Sequence, residues 1–161
     1  MTFNRDDSVI RWDTFFMEMA HLVSSKSKDR STKVGAVAAG HSNTVLSIGY
    51  NGFIRYADDD DDDLHDRPEK YNWTAHAEMN VICNAARNGT KLLGTTLYVT
   101  SHPCIECAKA IVQAGFEELV IPSKEDDPFW ENGRWELWED NFKKAREILN
   151  VAHIRIVEHV V

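Results

Sequence analysis

Apolar residues return at three- and four-residue steps through residues 11–26, at Trp12, Phe15, Phe16, Met19 and Leu22/Val23, which predicts an amphipathic helix. Two short β-prone runs follow, 34–39 and 44–50, separated by Gly40-His41-Ser42-Asn43, a hairpin signal. Residues 51–73 are polar and without period, and a stretch of that length inside a domain is usually a functional or mobile loop. Thr74 then stands where a helix cap would, ahead of His76-Ala77-Glu78 and an apolar series (Met79, Ile82, Cys83, Ala86) that ends before Gly89. Residues 95–100 read as a strand, 103–114 as a helix opened by Pro103 and stopped by Gly115, and 118–121 as a further strand. A loop over 122–133, an amphipathic helix over 135–149 and a strand over 151–157 complete the chain. After the hairpin, strands alternate with helices, which predicts an α/β fold: a mixed sheet with helices on both faces. At 161 residues the chain fits a single domain, 1–161, with room for a substantial core.

Composition alters this picture little. Hydrophobic residues at 43% and charged residues at 27% are ordinary for a globular protein and exclude collagen-like, disordered and disulfide-scaffold classes. No apolar run approaches the roughly 20 residues of a membrane helix, so no membrane partner is expected. The start MTFNRDDSVIRWD lacks the apolar core and cleavage site of a signal peptide, which predicts a cytoplasmic location.

Charge says more. The formal net charge of −8 argues against a general nucleic-acid or membrane binder, which needs a basic field. Six of the 26 acids form one unbroken run, 58–63, and without it the chain is nearly balanced. The acidity is therefore local.

The chemistry concentrates at two predicted helix starts. Three cysteines, an odd count, make a disulfide framework improbable, and Cys104 and Cys107 are spaced C-x-x-C. His76 with these two thiols makes a borderline-soft donor set suited to Zn²⁺, and three protein ligands leave a fourth tetrahedral position for water. Glu78, two residues after His76, is free to shuttle a proton between that water and a substrate. H-x-E followed by P-C-x-x-C is the signature of zinc nucleobase deaminases.

With these residues in place, the chain resembles the deoxycytidylate (dCMP) deaminases of the cytidine deaminase superfamily. The resemblance runs from about residue 22 to residue 120 and includes S-K-D-R-S-T-K-V-G-A-V, G-Y-N-G, H-A-E-M-N and H-P-C-I-E-C-A-K-A-I. It implies a cytidine-deaminase-like three-layer α/β/α fold with a five-stranded mixed sheet. It also implies hydrolysis of dCMP to dUMP and ammonia, supplying dUMP for dTMP synthesis. A homo-oligomer is implied, a hexamer ahead of a dimer or tetramer, activated by dCTP and inhibited by dTTP. By motif match His76, Cys104 and Cys107 hold one catalytic zinc per chain, Glu78 moves the proton, Asn51 meets the sugar, and the Ala77 N–H meets the base. Some relatives carry a second zinc on extra cysteines before H-A-E, and this chain has none there.

Other residues carry two readings each. His102 is either a residue held extended before Pro103 or a contact to base or phosphate. Lys26, Lys28, Arg30 and Lys33 are either a solvated segment or, with Arg30 first, phosphate ligands, and Thr32 lines the base pocket. Cys83 is read as core, Trp130, Trp135 and Trp138 as core or subunit-interface groups, and the remaining histidines as structural or exposed. The acidic run is a solvated loop or, through Asp58 and Asp59 with Gly49, Tyr50 and Gly52, a place for Mg²⁺ on a regulatory triphosphate. Rival substrates are dCTP, cytidine, a modified dCMP and tRNA adenosine, the last disfavoured by charge. The rival outside enzymes is a structural zinc-binding module, in which Glu78 would have no role.

Overall fold

The computed structural model of the chain describes residues 9–159, so the signal-peptide reading lies largely on residues outside the described ones. In chain order the elements are α1 (Trp12–Ser24), β1 (Gly35–Ala39), β2 (Val45–Tyr50), β3 (Gly52–Phe53), α2 (Asp62–His65), α3 (Lys70–Trp73) and β4 (Thr74–Ala75). They continue through α4 (Ala77–Asn88), β5 (Thr96–Val99), α5 (Ile105–Ala114), β6 (Glu118–Pro122), α6 (Pro128–Glu131), α7 (Trp135–Val151) and β7 (Arg155–His159).

Five strands form one mixed sheet in the order β2-β1-β5-β6-β7, with β1 antiparallel to both neighbours and β5, β6 and β7 mutually parallel. Alternation along β1 sorts its side chains between two cores. Ala36 and Ala38 face Val81, Ala85, Ala108, Ile111, Ala145 and Leu149 from α4, α5 and α7. Val37 and Ala39 face Phe16, Met17, Ala20 and Val23 from α1. This is the expected layering, with helices on both faces of the sheet.

Gly49 shows why β2 and α4 lie so close. A Cβ there would stand 2.5 Å from the Ala77 carbonyl oxygen and 2.6 Å from the Val81 nitrogen, so only glycine lets the strand support the start of α4. At the far ends, Gly89 and Gly115 adopt φ +68° and +81° and stop α4 and α5 where the sequence placed their ends.

Several expectations need correction. The polar stretch 51–73 is not a bare loop. It holds α2, capped by the Asp61 side chain, and α3, and its start pairs through β3 with β4. Thr74 lies in β4, and His76 is the N-cap of α4. Pro103 precedes α5 and Cys104 is its N-cap. The 122–133 loop contains α6, capped by Asp127. Cys83 is exposed, because α4 buries Ala77, Glu78, Val81 and Ala85, and a residue two positions from Val81 points to the opposite side of a helix. Among the described residues no helix is long and apolar enough to cross a membrane.

Candidate active site

The two-residue ladder between β3 and β4 pairs Gly52 with Ala75 and Phe53 with Thr74, which delivers His76 extended (φ −74°, ψ 159°) at the start of α4. The chain leaving the end of β5 delivers Cys104 in the same way (φ −76°, ψ 172°), and Cys107 follows in the first turn of α5. Both helix starts meet beyond the carboxyl end of a parallel strand, where open α/β sheets form their crevices.

His76 Nδ1 lies 3.4 Å from Cys104 Sγ and 3.4 Å from Cys107 Sγ. All three ligand atoms fall within 4.8 Å of one another, the one such group among the described residues. Tetrahedral bonds of about 2.3 Å to sulfur and about 2.0 Å to nitrogen place N and S about 3.5 Å apart, so this donor set fits Zn²⁺. The Cys107 backbone N–H donates to Cys104 Sγ at 3.5 Å, and the helix start favours negative charge there. Hydrogen bonding from Cys107 pulls the Cys104 thiol down to about 4, with His76 adding to the effect against burial. The same bond, with burial, pushes Cys107 up. His76 rises to about 9, chiefly through its bond to Cys104.

Glu78 sits in the first turn of α4, 3% exposed. Burial pushes its carboxyl up to about 7, opposed by the charge on His76. It stands outside the three clustered ligand atoms, so it is available to hold or release a proton near neutral pH.

His76, Glu78 and Cys104 open into one cavity, whose lining includes the apolar side chains of Val34, Phe129, Trp138 and Phe142 together with Thr32, Asn51, Ala77 and His102. Asn51 is buried, with Oδ1 accepting the Val34 N–H at 2.8 Å and Nδ2 donating to the Thr32 carbonyl at 2.9 Å. One Nδ2 proton and one Oδ1 lone pair remain for a ligand. Ala77 opens α4, where the first N–H groups have no carbonyl partner within the helix. The Thr32 hydroxyl accepts from Asn132 Nδ2 at 2.9 Å. His102 is held by Asp127, which is fully buried and lies 2.9 Å from its Nδ1.

Other predicted positions lie elsewhere. Arg30 does not line this cavity; its guanidinium pairs with Asp62 at 2.7 Å, and Lys28 pairs with Asp59 at 3.0 Å. The acidic run is thereby strapped to the basic segment, with Asp58 accepting the Asp60 N–H and Asp61 capping α2. Gly49 serves the β2–α4 contact, the exposed Tyr50 offers its carbonyl to Asn80 Nδ2, and Gly52 pairs with Ala75. Trp135 is core, Trp138 lines the cavity, and Trp130 is 44% exposed.

The cavity also contains residues that sequence reasoning passed over: Asp29, Lys70, Arg67, Tyr71, Phe129 and Arg134. Asp29 and Lys70 form a buried ion pair at 2.7 Å. Burial raises the Asp29 carboxyl, but Lys70 and the Thr32 and Ser31 N–H groups outweigh it and hold it below the usual range. Asp29 lies within the S-K-D-R-S-T-K-V-G-A-V segment but had no role assigned to it; the other five belong to no quoted motif, and the one available signal was a cluster of charged and aromatic residues in the segments 67–73 and 129–134.

Comparison with known proteins agrees with this geometry. The model of the cytidine and deoxycytidylate deaminase zinc-binding region matches residues 10–123. A human deoxycytidylate deaminase is 38% identical over 122 residues, covering 73% of this chain and 67% of that protein. A deoxycytidylate deaminase of Enterobacteria phage T2 is 32% identical over 157 residues, covering 72% of this chain and 83% of that protein. The apo crystal structure of a dCMP deaminase from cyanophage S-TIM5 superposes with a TM-score of 0.67 at 22% identity, over 91% of this chain and 96% of that one, and shares the fold. With the matched region spanning both ligand-bearing helix starts, the chain belongs to the cytidine and deoxycytidylate deaminase zinc-binding family.

Proposed function

We propose that the chain is a zinc-dependent deaminase that converts dCMP and water into dUMP and ammonia, acting as one deaminase unit. The observation that carries this reading is the buried Glu78 beside the His76, Cys104 and Cys107 group, in one cavity with Asn51 and Ala77. A zinc site kept for structure alone has no use for such a carboxyl. The names of the human and phage relatives support dCMP as the substrate.

His76, Cys104 and Cys107 would hold one zinc, which when bound lowers the pKa of a coordinated water from about 15.7 towards about 7 and so supplies a nucleophile. Glu78 takes one proton from the attacking water and passes it to ring N3, then takes the second from the hydroxyl now on C4 and delivers it to the departing 4-amino nitrogen. The Ala77 N–H orients the base and Asn51 the sugar. Phe129, Phe142 and Trp138 exclude water around the reacting centre. We also propose a homo-oligomer, supported by the exposed apolar residues Val9, Ile10, Trp12, Phe15 and Leu22 on and before α1.

Ammonia release from CMP, dCMP, dCTP and cytidine by the zinc-loaded protein tests the reading. Turnover of dCMP above the other three is expected, and ammonia from none of the four would overturn it.

A further inference from the structure

Two arginines converge on one hydroxyl at the edge of the cavity. Arg67 donates from Nε to Tyr71 Oη at 2.9 Å and from Nη2 to Ser31 Oγ at 3.0 Å. Arg134 donates from Nη2 to the same Tyr71 oxygen at 3.3 Å. All three side chains line the cavity that contains His76 and Glu78. With both lone pairs of the Tyr71 oxygen engaged, its own proton is left to donate, and the remaining guanidinium N–H groups are donors as well.

Among the described residues no carboxylate pairs with Arg67 or Arg134, whereas Lys28, Arg30 and Lys70 nearby are each held by an aspartate. In a chain of net charge −8, two adjacent guanidiniums without counter-charge mark a place where the ligand supplies it. Arg134 also lies beyond the residues matched by the family model.

We infer that Arg67, Tyr71 and Arg134 form the subsite for the 5′-monophosphate, an inference that rests on the deaminase reading and assigns the group by which nucleotide is told from nucleoside. A phosphate dianion is purely an acceptor, and the planar guanidinium fork matches two of its oxygens. The surrounding bonds hold the subsite in shape. Lys70 bonds Asp29, whose carboxylate accepts the Ser31 and Thr32 N–H groups at 2.8 and 2.9 Å. Asn132 reaches the Thr32 hydroxyl at 2.9 Å. Segments 27–32, 67–73 and 129–134 are thus stitched together around the three donors, which lowers the ordering cost of binding.

The test uses the zinc-loaded full chain and calorimetric binding of dUMP and deoxyuridine. Wild type binds dUMP at least about tenfold more tightly, and Arg67→Gln and Arg134→Gln each weaken dUMP by about 10- to 100-fold while leaving deoxyuridine within about twofold. Arg67→Lys and Arg134→Lys recover part of the loss, since they restore charge without the fork. In turnover, KM for dCMP rises in the Gln variants with far less change in kcat. Equal binding of both ligands by wild type, or parallel loss of both in the variants, overturns the inference. A wild type that prefers dUMP yet releases no ammonia from dCMP keeps the phosphate subsite and rejects the deaminase reading. Turnover of dCMP with KM unmoved in both Gln variants does the reverse.

Discussion

Asp127 Oδ2 accepts the His102 backbone N–H at 2.7 Å and lies 2.9 Å from His102 Nδ1, so one buried carboxylate fixes both the main chain and the ring of the residue two places before Cys104. The same side chain accepts the Phe129 N–H at 2.8 Å. It therefore ties the loop after β6 to the approach of α5. Asp127→Ala leaves those buried donors without a partner, at a cost of about 3 kcal/mol. For a chain of this size that is a fall in Tm of about 6–12 °C, measured by circular dichroism. An unchanged Tm would remove Asp127 from the support of the site.

Cys107→Ser takes one thiolate from a three-ligand set and is expected to lose zinc on gel filtration. Zinc that binds only the folded chain stabilises it, by about 2.7 kcal/mol at a hundredfold excess over Kd. A chelator should thus lower the wild-type Tm by about 5–10 °C and leave Cys107→Ser where it is. Equal chelator shifts in both proteins would place the metal elsewhere.

The Asp29–Lys70 pair is buried and lines the cavity, so removing one partner leaves an uncompensated charge. Lys70→Ala or Asp29→Ala is expected to cost about 3–5 kcal/mol in urea unfolding, while the double replacement Asp29→Leu with Lys70→Met costs much less. Because the Asp29 carboxyl is held below its usual value, its contribution is present above about 3.8 and is lost as pH falls through the lower folded-state value. Lys70→Ala should therefore flatten the acid limb of the stability curve. An acid limb identical to wild type would contradict this account.

Much of this framework is readable from residues alone, and the reason is periodic. His76, Glu78, Cys104 and Cys107 stand at helix starts, where spacing and caps are visible in the chain, and the glycines that end α4 and α5 are equally plain. Arg67, Tyr71 and Arg134 are not, because they come from segments without period and meet only through tertiary bonds. Arg30 shows the complementary case. A basic residue near the motifs suggests a phosphate ligand, but the acidic run supplies Asp62 as a nearer partner. Thr74 has the chemistry of a cap, yet the short β3–β4 ladder claims it and moves the helix start to His76.

Glu78 is expected to shape stability with the opposite sign from Asp29. Its folded value of about 7 lies above the ordinary 4.5, so the folded chain binds the extra proton between those values and its stability falls as pH rises through that window. The span corresponds to about 3 kcal/mol. In the metal-stripped protein, Glu78→Gln should therefore gain on wild type by up to that amount between pH 5 and pH 8, read from urea midpoints. A difference independent of pH would mean that Glu78 titrates as an exposed carboxyl.

The most direct test of the central claim is dUMP formation from dCMP, normalised to bound zinc, in wild type and Glu78→Gln. Both proteins should hold one zinc per chain, and wild type should yield dUMP and ammonia in equal amounts. The variant should be slower by about 10²- to 10⁴-fold, the usual contribution of a positioned acid–base group. A zinc-loaded variant that turns over dCMP at the wild-type rate, or a zinc-loaded wild type that forms no dUMP, would contradict the account.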